Sequence, residues 1–351
     1  MTRRIRTGLA AGLALLGAAA ASQGQPIDAS WDVPTLDRWM YAFSGTPGIR
    51  FFISTFASPQ DYVGLDDRDA QFIVGFDTGD QVPAGLGATA YQVQSVRLTV
   101  TIANDLAFEY DPTHDALETY IADTDAEFVP DSDPGRPIEL FGLAYRDGWD
   151  LSTWTETTTF FSSELIADPA EGTRTAYAAA FDDALTPTDI SRNVRTRLEV
   201  TPWAVGTMPL APGDLVPTDT VVSFDVDLDA PGALAYVQHA LDFGRLNLVV
   251  SSLHPATGGP GGGIGDPTYP SYYSRENPIA QAFGFEASLE ISVVAGSCAA
   301  DLNGDGSADV LDFFLFVAAF ASGDPVADIN GDGRVDVLDF FAFVTAFQQC
   351  A

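Results

Sequence analysis

The feature that most constrains the fold is the alternation of apolar and polar residues between positions 31 and 294. Apolar side chains occupy every second position in the segments 96–102, 194–200, 222–228 and 283–293. Successive side chains of a strand point to opposite faces, so this pattern predicts strands with one buried and one solvent-facing side. Such strands are typical of antiparallel sheets. We therefore expect a mainly β protein, built as an antiparallel β-sandwich of jelly-roll type.

Other segments refine this prediction. Five more apolar segments predict strands at 50–56, 71–76, 138–145, 153–161 and 246–253. Between Val93 and Val96 the apolar phase shifts by one residue, which predicts a β-bulge near Gln94 and Ser95. Two short segments have helical spacing instead, through Tyr177, Phe181 and Ala184 and through Leu234, Val237 and Leu241.

The first residues have the pattern of a signal peptide. Arg3, Arg4 and Arg6 precede an apolar run at 9–21 and small residues at 20–22. We predict that residues 1–22 are a signal peptide and that the protein is secreted or attached to the cell surface; a buried N-terminal helix is the alternative. The run is shorter than the ~20 residues of a membrane-spanning helix, which argues against an integral membrane protein.

The remaining chain divides into a β-domain at 26–296 and a C-terminal module at 298–351. The glycine-rich stretch 255–270 resembles a linker in composition, but the strand predicted beyond it needs partners within the sheet. We therefore interpret this stretch as a surface loop of the β-domain. The domain boundary is placed at 295–300, where the alternation stops and a repeat begins.

The C-terminal module contains this repeat: residues 301–312 recur 27 positions later as 328–339. Each copy places oxygen-bearing side chains at positions 1, 3, 5, 9 and 12, a glycine at position 6, and a backbone carbonyl at position 7. Hard oxygen ligands without Cys or His favour calcium over zinc, so two Ca²⁺ ions are predicted, with a solvated acidic turn as the alternative. The predicted ligands are Asp301, Asn303, Asp305, Ser307 (carbonyl), Asp309 and Asp312, and then Asp328, Asn330, Asp332, Arg334 (carbonyl), Asp336 and Asp339.

Each loop leads into an apolar helix, predicted at 310–320 and 337–347. Phenylalanines recur at i, i+3 and i+7 on one face of each helix, so the two helices can pack with pseudo-two-fold symmetry. The two cysteines of the chain, Cys298 and Cys350, bracket the module. In an exported protein an even number of cysteines predicts a disulfide, and two free thiols are the alternative.

These paired loop–helix units resemble dockerin modules. The sequence Val-Leu-Asp-Phe-Phe with flanking cysteines is similar to the Gly-Cys-type dockerin anchors of exported planctomycete proteins. The resemblance covers residues 298–351 and implies docking onto a cohesin-like or other surface-anchoring protein, within a system that degrades polysaccharides. Cellulosomal dockerins usually carry Ser or Thr at loop positions 10 and 11, whereas this chain has Val310, Leu311, Val337 and Leu338.

The charge of the chain excludes some classes of partner. It has 49 acidic residues against 16 basic ones, all of them arginine, and a net charge of -33. Affinity for phosphates comes from basic side chains, so nucleic acids and anionic membrane surfaces are not expected as partners.

The β-domain shows no readable active site in its sequence. The histidines His114, His239 and His254 have no metal-binding spacing, and the Gly-x-Ser-x-Gly motif of a nucleophile elbow is absent. Segment 110–115 is interpreted as an ordered turn. The acidic groups are interpreted as solvated surface: Asp66, Asp67, Asp69, Asp182 and Asp183.

Tryptophan side chains could offer platforms for sugar rings. Core packing is the default for all five, and Trp149 and Trp154 are the preferred exposed candidates. We therefore favour a non-enzymatic β-sandwich protein displayed through a calcium-binding tail. The alternative is a carbohydrate-binding module or a glycoside hydrolase of a polysaccharide-degrading system, with a glycan as ligand.

Overall fold

A computed structural model of the chain describes residues 26–46, 48–58, 65–160, 174–182, 184–256, 267–296, 298–303, 308–330 and 333–350. The predicted signal peptide (1–22) and the centre of the glycine-rich stretch (257–266) lie outside the described residues.

The protein is mainly β. Fifteen strands are found among the described residues: β1 (Pro26–Trp31), β2 (Leu36–Met40), β3 (Phe52–Ser54), β4 (Phe56–Ala57), β5 (Arg68–Asp77), β6 (Tyr91–Thr101), β7 (Tyr110–Asp111), β8 (Arg136–Tyr145), β9 (Ala176–Phe181), β10 (Pro187–Asp189), β11 (Ala204–Val205), β12 (Val221–Asp225), β13 (Arg245–Ser252), β14 (Ser271–Tyr273) and β15 (Ser288–Ala295). The helices are α1 (Ala233–Phe243), α2 (Pro278–Phe283), α3 (Val310–Ser322) and α4 (Val337–Cys350).

The described strands form two main sheets. The smaller has the order β1-β15-β6-β12, and the larger follows the path β10-β9-β8-β13-β5-β2, with β11 and β7 added to β8 and β4 added to β5. A short ribbon pairs β14 with β3. The pairing of β7 with β8 is parallel, and the other strand pairs are antiparallel. The predicted antiparallel, mainly β architecture is confirmed at this level.

The two sheets differ in how they are buried. In the smaller sheet buried and exposed residues largely alternate, as the sequence pattern predicts. In the larger sheet the central strands are buried along nearly their whole length. Leu248 of β13 and Leu98 of β6 belong to one apolar cluster, while the adjacent Val249 belongs to a second cluster on the other side of the larger sheet.

Two predicted strands are wrong because their residues cover this outer cluster as loops. Of the predicted strand 153–161, the described residues 153–160 form turns, bends and irregular backbone and bring Trp154 and Phe160 to the cluster. Segment 194–200 turns at Arg197, where φ is 57°, before Leu198 and Val200 reach the cluster. Their apolar side chains are therefore buried without any strand pairing.

Other local predictions have mixed outcomes. The β-bulge is confirmed: Ser292 pairs with Ser95 and Val293 with Val93, which leaves Gln94 as the extra residue. The predicted helix at 234–241 is confirmed as α1. The helix predicted from the pattern at 177–184 is wrong, because residues 177–181 belong to β9, whose residues are mostly buried beside β8.

The helices predicted after the two repeated loops are confirmed as α3 and α4. Within the described residues, no helix combines the length and apolarity needed to cross a membrane.

Candidate calcium sites

The two repeated loops enter their helices in the same way. Asp309, at position 9 of the first loop, has extended backbone, and its Oδ1 accepts a hydrogen bond from the Leu311 N–H at 2.7 Å. Asp336 accepts in the same way from the Leu338 N–H at 2.9 Å. Each aspartate therefore caps its helix and satisfies a backbone donor that has no partner within the helix. A ligand at position 9 often reaches calcium through a water molecule, so capping is compatible with the predicted role.

The aspartate at position 12 closes each loop. Oδ1 of the buried Asp312 accepts from the N–H groups of Leu302 and Asn303 at 2.9 and 3.0 Å, and its Oδ2 accepts from the Asp309 N–H at 2.9 Å. Burial alone would raise the pKa of Asp312, but these backbone hydrogen bonds outweigh it and lower the pKa. The carboxylate is thus held ionised, in the form that binds a cation.

The second loop repeats this arrangement. Asp339 is buried and accepts from the Asn330 N–H at 3.2 Å and from the Asp336 N–H at 2.8 Å. The Asp336 bond is the main cause that lowers the pKa of Asp339, although burial opposes it. Both loops therefore use one carboxylate to tie the start of the loop to the start of the helix.

The sharp turn at position 6 is present in the second loop. Gly333 has φ of +84°, a conformation that favours glycine, and its N–H donates to Oδ2 of Asp328 at 2.9 Å. This bond folds position 6 back onto position 1, as the sharp turn of a calcium loop requires.

The described residues include nine of the twelve predicted ligands: Asp301, Asn303, Asp309, Asp312, Asp328, Asn330, Arg334, Asp336 and Asp339. Asp305, Ser307 and Asp332 lie outside the described residues. The side chains present are carboxylates and amides, and the position-12 carboxylates are held by backbone donors. This oxygen-rich set fits calcium.

A pair of stacked phenylalanines joins α3 to α4. Phe316 and Phe343 are fully buried, and their ring centroids lie 4.2 Å apart with 12° between the ring planes. Phe313 approaches Phe343 at 6.3 Å, and Phe340 approaches Phe316 at 6.2 Å. Equivalent residues thus contact each other reciprocally, as expected for two copies of one unit related by a pseudo-two-fold axis.

The cysteine at the start of the module is part of a disulfide. Cys298 is disulfide-bonded and buried, and its Sγ accepts from the Ala300 N–H at 3.3 Å. The chain contains one other cysteine, Cys350, whose side chain lies outside the described residues.

The same helices leave an exposed apolar face. It comprises residues at positions 10, 11 and 14 of each repeat, each 56–62% exposed: Val310, Leu311, Phe314, Val337, Leu338 and Phe341. On each helix, positions 10, 11 and 14 lie on one side, and exposed apolar patches of this kind mark interaction surfaces.

In the β-domain, the prediction that Asp66, Asp67 and Asp69 are solvated is wrong. Asp67 and Asp69 are 1% exposed, and Asp66 is at most 9% exposed. Arginines neutralise them: Arg174 lies 2.5 Å from Asp66 and Arg195 lies 2.7 Å from Asp67. The sequence gives no signal of these pairs because the partners are more than 100 positions apart. Asp182 is exposed as predicted, and Asp183 lies outside the described residues.

A second buried ionic group surrounds Glu139 of β8. Its fully buried carboxylate lies 2.7 Å from Arg68 Nη1 and 2.7 Å from His114 Nδ1. Burial would raise the pKa of Glu139, but Arg68 and His114 outweigh it and lower the pKa. The hydrogen bond to Glu139 in turn raises the pKa of His114. The charges of Arg68 and Glu139 neutralise each other, so we interpret this group as a structural ion-pair network.

The tryptophans are mainly structural. Trp149 is 36% exposed, as predicted, but the prediction for Trp154 is wrong because this side chain is 1% exposed. The Arg38 guanidinium lies 5.0 Å from the Trp154 ring centre, which is a cation–π contact. Trp154 also packs in the apolar cluster on the outer face of the larger sheet.

A concave site also lies beside α1. A cavity of about 490 Å³ is lined by Tyr145, Tyr236, His239 and Phe243, together with one acidic side chain, Asp242, among the described residues. Glycoside hydrolysis commonly uses two convergent carboxylates, so this lining alone does not provide that chemistry.

No protein-family model matches the chain, and a search of characterised proteins found no match.

Proposed function

We propose that this is an exported, non-enzymatic β-sandwich protein, displayed or docked at the cell surface through a calcium-loaded, dockerin-like tail at 298–351. The observation that carries the proposal is the duplicated loop–helix unit. Both copies have an aspartate cap at position 9 and a buried aspartate clamp at position 12. Oxygen ligands in this spacing suit Ca²⁺.

The β-domain, residues 26–296, is proposed to be the displayed module. Its two main sheets contribute to a single apolar cluster, which supports a sandwich of jelly-roll type. The resemblance of the tail to dockerin anchors and the signal-peptide pattern of residues 1–22 support export.

The proposed partner of the tail is a cohesin-like module of a surface protein. The exposed apolar face is repeated on α3 and α4, so equivalent residues of the two copies are available for contact. Since these residues are Val, Leu and Phe, the contact would depend on apolar burial more than on the hydroxyl groups usual in cellulosomal dockerins.

Surface retention of the full chain in the organism that makes it tests this proposal. We expect the wild-type protein to stay with the cell envelope in calcium and to be released by a chelator. The double variant Leu311→Glu/Leu338→Glu should be released into the medium while keeping its calcium-dependent helical signal. Val129→Glu is the matched control, because Val129 is an exposed apolar residue of the β-domain. If the double variant stayed with the cell envelope, or if the Val129→Glu variant were released into the medium, the result would argue against docking through this face.

The alternative, a carbohydrate-binding module or glycoside hydrolase, rests on the association of dockerin-like tails with polysaccharide degradation. A glycan array and a hydrolase screen on the full chain test it. Binding abolished by Trp149→Ala would favour this alternative, because Trp149 is the exposed tryptophan.

A further inference from the structure

Two loops of the β-domain bring three aspartates together. Asp111, Asp115 and Asp133 each offer a carboxylate oxygen, and these atoms lie within 4.8 Å of one another. The parallel pairing of β7 with β8 joins the loops, with Tyr110 opposite Arg136. The cluster is therefore fixed by the sheet, although its members are up to 22 positions apart in the sequence.

A glycine permits this close approach. Gly135 has φ of +97°, and a Cβ at this position would lie 2.9 Å from the Glu109 carbonyl oxygen and 3.0 Å from the Asp111 Cβ. A side chain here would push the two loops apart.

The cluster has more negative charge than its arginine neutralises. Arg136 Nη1 lies 2.9 Å from Asp115 and 3.1 Å from Asp131. Among the described residues, no ion pair involves Asp111 or Asp133. Two carboxylates thus remain without a counter-charge.

Asp111 also has an oxygen without a hydrogen-bond partner. The residue is 2% exposed, and its Oδ1 accepts from the N–H and the hydroxyl of Thr113, both at 2.8 Å. Its Oδ2 is buried, and no hydrogen bond to it is found in the described part of the chain. A buried carboxylate oxygen in this state is costly unless a cation or a proton lies against it.

The hydroxyl of Thr113 cannot satisfy both of its neighbours. Its Oγ1 lies 2.8 Å from Asp111 Oδ1 and 2.9 Å from Asp133 Oδ2. A hydroxyl has a single proton to donate, so at any moment one of these contacts places lone pairs against each other. A bound cation would remove this repulsion, because the hydroxyl oxygen and the carboxylates could all face the ion.

We propose that Asp111, Asp115 and Asp133 form a third Ca²⁺ site, with the Thr113 hydroxyl as a neutral ligand. Carboxylate and hydroxyl oxygens on two irregular loops suit the flexible coordination of calcium better than the strict octahedron of magnesium. This site lies in the β-domain and does not depend on the proposed function of the tail.

A second acidic cluster provides a contrast. Asp37, Glu156 and Glu276 also lie close together, but Arg275 contacts all three: its backbone N–H donates to Asp37 at 2.7 Å, Nη2 to Glu156 at 2.6 Å and Nε to Glu276 at 2.8 Å. That cluster has its own neutralising groups, whereas Asp111 and Asp133 lack a paired arginine.

Isothermal titration of the full chain with CaCl₂ tests the proposal. The variant Asp301→Ala/Asp328→Ala removes a first ligand from each tail loop, and we expect it still to bind one ion per chain. Adding Asp133→Ala, which removes the ligand oxygen, should abolish this remaining uptake. Adding Asp123→Ala instead should leave it unchanged, since Asp123 is an exposed acid outside the cluster.

The design separates the two proposals. If the tail substitutions do not reduce calcium uptake, the tail proposal fails. If the tail variant binds no calcium, or if Asp133→Ala does not remove the last ion, the third site is refuted. Asp133 is only partly buried, so its substitution should not unfold the domain. Terbium luminescence of the tail variant, excited through Tyr110, the neighbour of Asp111, gives a second measurement, and adding Asp133→Ala should remove that signal.

Discussion

The stacked pair Phe316 and Phe343 provides the sharpest test of how the tail is held together. Both rings are fully buried, and Phe316 also lies 5.5 Å from Phe320 and 6.2 Å from Phe340. The substitution Phe316→Ala would remove the ring at the centre of the contact between α3 and α4, leaving Phe343 without its stacking partner.

The expected cost is large compared with the stability of the module. Removing a buried phenylalanine costs ~3–5 kcal/mol, of which stacking contributes about 1 kcal/mol. A module of this size is stabilised by roughly 3–8 kcal/mol in total, at the usual value per residue. If folding and calcium binding are coupled, a loss of ~4 kcal/mol weakens the apparent calcium affinity by roughly a thousandfold.

A matched control lies two positions away. Phe314 is 62% exposed, so Phe314→Ala removes the same atoms from the surface and should change the free energy of unfolding by less than ~0.5 kcal/mol. Helical circular dichroism during a calcium titration of each full-length variant measures the difference. Equal loss in the two variants, or no loss in Phe316→Ala, would refute the argument that this stack holds the module together.

Three further outcomes are expected. A chelator together with a reductant should abolish the helical signal of the tail, because its nine acidic residues repel one another and only one arginine offsets them. The near-ultraviolet dichroism of the β-domain should persist. A helical signal that is unchanged by both reagents would contradict this prediction. Glu139→Gln should lower the stability of the β-domain to urea by ~3–5 kcal/mol, because it leaves Arg68 buried without a counter-charge, whereas the exposed Glu118→Gln should change little. Burial, assisted by Arg136, lowers the pKa of His254 from 6.5 to about 3. Between these values the unfolded chain binds a proton that the folded chain does not, so stability should fall as pH falls, by at most ~1.4 kcal/mol per unit, and His254→Phe should flatten that slope in acid unfolding.

Local patterns were reliable where neighbouring residues decide the structure. The two apolar helices follow their loops because the aspartates that cap them are encoded beside them, and α1 forms where apolar residues have helical spacing. The bulge at Gln94 could be predicted from the sequence because a single inserted residue shifts the alternation of apolar and polar side chains by one position.

Patterns failed where burial comes from distant parts of the chain. The residues of β9 have apolar side chains at helical spacing, but a strand buried on both faces has no alternation to reveal it. Segment 194–200 alternates like a strand, yet its apolar side chains pack as a loop on the larger sheet. Both errors arise because the larger sheet is covered on both faces.

The sequence by itself determined the repeated oxygen ligands, the two apolar helices and the antiparallel, mainly β character, since each depends on the spacing of residues near one another. Only the tertiary structure decided which charges are buried. Asp66 forms an ion pair with Arg174, 108 positions away in the sequence, and Glu139 forms one with Arg68 on a different strand. The same is true of Asp111 and Asp133, whose shared position depends on the pairing of β7 with β8. Charge pairing acts through space, so an acidic residue in the sequence does not reveal whether water, an arginine or a cation will neutralise it.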